Sequence, residues 1–148
     1  MLYRKANLQD IDSLVNIRKQ QLVDEGIAPS IDIDDELTAY FNSVLNDGTL
    51  VEWIVEDENN IIATAAVAFY QFPPTYTNKT GKKGYITNMY TKDKYRGRGI
   101  ATALLHKLVE EAKAKGISKL WLGASKMGRP VYEKFGFRET GGWLEMDL

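Results

Sequence analysis

Hydrophobic and polar positions change period several times along the chain, and each change marks an element. Leu2 to Lys5 reads as a short strand, and Asn7 with Asp10 three residues on has the form of a helix N-cap. Ile11, Leu14, Val15 and Leu22 then share one face at ~100° per residue, with Arg18 in the middle of that face and Glu25 near the same line. A second helix opens at Asp34-Asp35, turns Leu37, Tyr40, Phe41, Val44 and Leu45 inward, and stops at Asn46-Asp47-Gly48. Leu50 to Glu56 and Ile61 to Tyr70 are strands joined by the turn-forming run Asp57-Glu58-Asn59-Asn60. Phe72 through Lys83, with two prolines and Gly81, is a loop long enough to move over a site.

The second half is more regular. Gly84 to Thr91 has the aromatic and β-branched content of a strand, which we take as the central one. A helix follows from near Arg98 to Gly116, with Ile100, Leu104, Leu105, Leu108, Val109 and Ala112 as its stripe. Lys119 to Gly123 is a short strand, and crossover through a helix makes it parallel to the strand before that helix. A crevice is expected where this parallel pair diverges, beside the helix start. Met127 to Phe135 forms a last helix with Pro130 in its first turn, and Phe137–Glu139 and Trp143–Asp147 read as paired strands, the latter in the core. Trp53 and Trp121 also read as core residues.

Composition removes several function classes. A chain of 148 residues with 44% hydrophobic and 26% charged residues fits one soluble domain, residues 1–148. Its net charge of −1 gives no general attraction for nucleic acid. Without cysteine there is no disulfide, thiolate nucleophile or cysteine metal site. No stretch has the length of a membrane span and the first residues lack a signal core, so the expected location is the cytoplasm. His106, the one histidine, falls opposite the leucine stripe of its helix and is expected to be exposed, which leaves no triad and no metal centre.

The candidate chemistry gathers at Tyr95-Arg96-Gly97-Arg98-Gly99-Ile100-Ala101-Thr102. Two glycines between a strand and a helix let backbone approach a ligand, and the first amides of the helix attract phosphate. Arg96 and Arg98 add charge. A dinucleotide fingerprint needs a third glycine where Thr102 stands, and no Walker sequence exists.

What remains, Arg-x-x-Gly-x-Ala from Arg96 to Ala101, resembles the acyl-CoA signature of the GNAT superfamily of N-acetyltransferases. A second segment, Ala124 to Phe137, resembles that family's stretch after its fifth strand, with Tyr132 at the position of the tyrosine that protonates the departing thiolate. Ser125 and Gly128 depart from the usual Asn and Ala there. The resemblance implies a mixed α/β fold, with a mostly antiparallel sheet, one parallel pair and about four helices. It implies acetyl-CoA as co-substrate, no metal, and direct transfer to the amine of a small molecule or peptide in a ternary complex. Backbone groups of Met89 and Thr91 would hold the pantetheine arm and an amide near Tyr90 would polarise the thioester. Amides of Arg98, Gly99, Ile100, Ala101 and Thr102 would hold the pyrophosphate, with Arg96 and Gly97 also binding the cofactor, and Ser125 would donate to pantetheine.

Beyond the cofactor, Arg18 and Glu25 suggest an acceptor bearing both charges, with Tyr70 and Asn88 as further acceptor-side candidates. The 85–91 strand holds no carboxylate, so the base is sought at Glu25 or along a water path past Asn88. A non-catalytic acyl-CoA sensor is the competing expectation, and the C-terminal strands make a homodimer the expected assembly.

Overall fold

The computed structural model describes all residues 1–148. Its elements are β1 (Leu2–Lys5), α1 (Ile11–Asp24), α2 (Asp34–Asp47), β2 (Leu50–Asp57), β3 (Asn60–Gln71), β4 (Lys82–Thr91), α3 (Ile100–Ala114), β5 (Leu120–Trp121) and α4 (Arg129–Phe135). The strands form one sheet in the order β1-β2-β3-β4-β5, antiparallel throughout except for the parallel β4–β5 pair. This is the expected mixed α/β architecture.

The middle of the sheet is β3 rather than β4. Ile62 to Ala68 are seven consecutive buried residues, which requires cover on both faces. On one face Val55, Ala65, Val67 and Ile86 pack against Ile100, Leu104, Leu105 and Leu108 of α3. On the other, Ile54 packs with Ile11, Leu14 and Val15 of α1 and Phe41 of α2. The four alanines of β3 keep the strand thin enough for both layers to approach. The capping expectation holds: the Asn7 side chain accepts from Gln9 N, and Asp10 returns a bond to Asn7 N. Here the capped segment is a single 3-10 turn, Leu8–Asp10, that runs into α1. The β2–β3 hairpin turns through Glu58 and Asn59 at φ 50° and 65°, and Gly48 ends α2 in the left-handed region.

Three expectations need correction. The C-terminal residues form no strands, and Trp143, Leu144, Met146 and Leu148 are exposed, at 75% or more. Their alternation satisfies the local rule, but none of them pairs with the sheet, which ends at β5. The 72–81 loop is a hydrogen-bonded turn: buried Asn78 donates to Lys82 O, and Gln71 donates to Phe72 O and Thr80 O. Trp53 and Trp121 are only half-buried, Trp53 against the α3-side core and Trp121 among Tyr70, Phe72 and Tyr85. No helix is long and apolar enough to cross a membrane.

Candidate active site

The site is created by a fault in β4. Ala63 pairs with Thr91 and Thr64 with Tyr90, but Ala66 pairs with Thr87, so Asn88 and Met89 together oppose Ala65. Asn88 absorbs the extra length at φ 52°, a conformation that asparagine tolerates better than most residues. The bulge is tied down from both sides. Thr64 Oγ1 donates to Asn88 O at 2.8 Å, and Asn88 Nδ2 donates to Glu52 Oε1 at 2.8 Å. Toward its other end β4 pairs with β5 only at Gly84 and Tyr85, so from Ile86 onward its outer edge parts from β5. A cleft of about 810 Å³ opens there, where the parallel pair was expected to diverge.

The start of α3 forms one wall. Gly97 and Gly99 lie in the left-handed region at φ 75° and 78°, and a Cβ on either would meet nothing within 4 Å. They are thus required for backbone conformation, and they leave the approach to the helix open. No side chain caps α3, and its first intrahelical bond is Ala103 N to Gly99 O, so the amides of Ile100, Ala101 and Thr102 have no acceptor within the helix. Those residues line the cleft together with Arg96, whose Nε donates to Thr91 O at 2.8 Å. Arg98 does not line it; its guanidinium lies over the Tyr95 ring at 5.1 Å and donates to Lys94 O. The expected charge of the turn therefore comes from Arg96.

The second wall is residues 123–128 and Val131 of α4; Tyr132 does not itself line the cleft but packs directly against Gly128, which does. Tyr132 is 9% exposed, and its phenol is pushed up to about 12 by burial and then by the charge of Glu25. Its hydroxyl has no hydrogen bond within the chain and is not sealed from solvent. Gly128, a lining residue, has a specific purpose here: a Cβ would meet Tyr132 Cε2 at 2.8 Å. The glycine lets the phenol ring lie flush against the wall. Ser125, also lining, accepts from Gly128 N at 3.1 Å and so caps the turn into α4.

The floor is α1 and β4. Met89, Tyr90 and Thr91 line the cleft, as do Gln21 and Glu25. Gln21 is buried, and its Nε2 reaches Met89 O at 3.1 Å and Glu25 Oε1 at 3.2 Å. The Tyr90 hydroxyl donates to Asp24 Oδ2 at 2.5 Å, and Arg96 stands over its ring at 5.6 Å. Burial and Asp24 hold that phenol at about 12, so the side chain clamps β4 to α1 and any part in polarising a thioester falls to backbone.

Arg18, Asn88 and Tyr70 lie outside the cleft, on the α1–α2 face of the sheet. Arg18 has no carboxylate partner; Nη1 donates to Gln21 Oε1 at 3.3 Å. Tyr70 stacks on Trp121 with centroids 5.9 Å apart. His106 is exposed, as expected, beside Phe135 at 4.8 Å. Sequence reading missed Gln21 and Glu52. Glu52 is 2% exposed, with its carboxyl pushed up to about 7 by burial. Its signal was a single acid between Leu50 and Ile54 on the inward face of a strand.

Known proteins decide the family. Residues 12–137 match the acetyltransferase (GNAT) family. The chain belongs to it. A predicted acetyltransferase from Clostridium acetobutylicum, solved with acetyl-CoA, is 64% identical over 99% of this chain and 95% of its own, with TM-score 0.97. A GNAT fold with a bound acetyl-CoA is thus found in a protein very similar to this one. Glucosamine 6-phosphate N-acetyltransferase from Trypanosoma brucei brucei is 35% identical over 75 residues, 51% of each protein. Thialysine N-epsilon-acetyltransferase from Sus scrofa is 34% identical over 74 residues, 46% of this chain and 44% of its own. The chain spans about half the length of these two curated relatives.

Proposed function

We propose that residues 1–148 act as one acetyl-CoA-dependent N-acetyltransferase domain, passing an acetyl group directly to a primary amine. One observation carries this reading: the unpaired first amides of α3 and the free edge of β4 line one cleft, with the Tyr132 ring packed against Gly128 in its wall. The amides and Arg96 suit a pyrophosphate. The β4 edge suits an extended amide-bearing arm, which it would hold as a sheet holds a strand. Backbone donors near Tyr90 would stabilise the oxyanion, where one oriented donor is worth about 2.7–4 kcal/mol.

Tyr132 is the acid in this scheme. Burial keeps the phenol neutral, so it meets the thioester carrying the proton that sulfur needs. An ordinary thiol titrates near 8.5, about 3.5 units below the buried phenol's 12, so proton transfer to a free thiolate is uphill and has to be coupled to collapse of the adduct. A sensor without turnover would have no use for this geometry.

The acceptor side favours an amine that also carries an anionic group. Arg18 stands there without a carboxylate partner, and the named acceptors of two relatives, glucosamine 6-phosphate and thialysine, both combine an amine with an anion. Tyr70 and Asn88 border the same face, and Glu25 extends it to the cleft.

The test is CoA release from acetyl-CoA across amino acids, amino sugars, polyamines and peptide N-termini, for the natural chain and Tyr132→Phe. The expected result is turnover of one amine class, with kcat lowered ~10²–10⁴-fold in Tyr132→Phe while acetyl-CoA affinity is preserved. Equal turnover by both proteins would remove Tyr132 from the chemistry.

A further inference from the structure

A carboxylate stands where the sheet calls for an apolar side chain. Glu52 shares the α1–α2 face of β2 with Leu50 and Ile54, and opposes Ala66 of β3. An ionised group there is costly unless it is paired. No lysine or arginine forms an ion pair with Glu52, and its one hydrogen bond is from Asn88 Nδ2 to Oε1. Oε2 therefore has no donor in the protein. It is not sealed either, because no buried side-chain oxygen of the chain lacks a partner.

Three titratable groups interact with Glu52 through charge: Arg18 of α1 favours its ionised form, Asp10 of the turn before α1 opposes it, and Glu52 in turn holds the Tyr40 phenol of α2 up. Asp10 is already engaged by Arg4 at 2.8 Å. Arg18 is felt by both Glu52 and Tyr40, yet pairs with no carboxylate. Arg18 and Glu52 thus carry opposite charges that act on each other without forming an ion pair. This polar group adjoins the cofactor cleft through one strand position, since Asn88, which holds Glu52, precedes the lining residue Met89.

We propose that Glu52 receives the acceptor's ammonium group and removes its proton, while Arg18 holds the anionic group of the same molecule. The proposal rests on the transferase reading above and adds its missing base. The proton moves from nitrogen to the Glu52 carboxylate, directly or through one water. The freed lone pair attacks the thioester carbon, the C–N bond forms, and the C–S bond breaks as sulfur takes the Tyr132 proton. A second N–H proton leaves as the adduct collapses and, through solvent, restores the Tyr132 phenol, while Glu52 releases the proton it took; both side chains are reset, and one amide, one thiol and one released proton balance the ammonium and thioester consumed. Burial places the Glu52 carboxyl near 7, where it both ionises and accepts a proton at neutral pH.

The test uses two matched probe pairs, glucosamine 6-phosphate with glucosamine and L-lysine with lysinamide. Glu52→Gln is expected to bind acetyl-CoA normally, to lose at least ~10²-fold in kcat at pH 7, and to lose the acidic limb near pH 7 of the natural rate profile. Its remaining rate should climb with pH as the amine deprotonates unaided. Retention of the natural rate and limb overturns the assignment. Arg18→Gln supplies a second reading on a half-buried position that folding tolerates more easily: KM should rise for the anionic member of a pair and not for the neutral one, and equal changes overturn the Arg18 half. Binding of acetyl-CoA by the natural chain with no turnover of either pair overturns this inference alone. Failure to bind acetyl-CoA overturns the transferase reading itself.

Discussion

At the scale of single residues, Glu52 and Gly128 show how function competes with packing. Burial raises the folded-state carboxyl of Glu52 from 4.5 to about 7. The sign follows: the folded protein binds this proton more tightly than the unfolded chain, so stability is retained below pH 4.5 and lost as pH rises toward 7. The shift of about 2.5 units corresponds to about 3 kcal/mol. Glu52→Gln should therefore be more stable than the natural chain at pH 8 and lose that advantage by pH 4.5, as read by urea unfolding at both values. Gly128→Ala is expected to act oppositely. Its methyl would stand 2.8 Å from Tyr132 Cε2 and displace the ring, slowing turnover with little change in acetyl-CoA affinity. Neither residue declared itself in the sequence. Gly128 looked like a departure from a pattern, and Glu52 was one acid among the residues of a strand whose two faces are both covered.

Among the elements, the start of α3 and the bulge of β4 do most to define the site. Gly99 occupies the left-handed region with open space before it. Gly99→Ala should cost about 1–2 kcal/mol of stability from backbone strain alone. It should also weaken acetyl-CoA binding, which calorimetric titration would measure, because the new methyl stands in the approach to the helix amides. Equal affinity would separate the glycine from the ligand. This element was legible because Arg-x-x-Gly-x-Ala is a local pattern whose backbone demands are met by the residues themselves. The bulge was not. It is set by the register between β3 and β4, and by side chains from β2 and β3 that bond Asn88. The C-terminal residues fail in the opposite way, since alternation in Trp143 to Leu148 met no strand partner in the fold.

Over the whole molecule, the cleft joins parts that lie far apart in sequence: the end of α1, the free edge of β4, the start of α3 and the segment leading into α4. A ligand that bridges them stabilises the folded state by mass action. Acetyl-CoA at 100 times its Kd should add about 2.7 kcal/mol, a rise of roughly 5–10 °C in Tm for a chain of this size. Removal of residues 143–148, which are exposed, should leave both the Tm of the free protein and that shift unchanged. A lost shift would place the segment in the site.

The sequence by itself determined the helices, four of the five strands nearly to their ends, the parallel pair and the glycine turn that opens α3. Each depends on hydrophobic period, caps and glycine conformation, which act over a few residues. Tertiary structure alone decided that β3 is the central strand, that Arg98 turns onto Tyr95 and Arg96 remains at the cleft, and that Glu52 and Arg18 share one face. Those facts depend on strand register and on which surfaces two layers of helices cover. Burial, charge and proton affinity at this site arise only when residues distant in the chain are brought together.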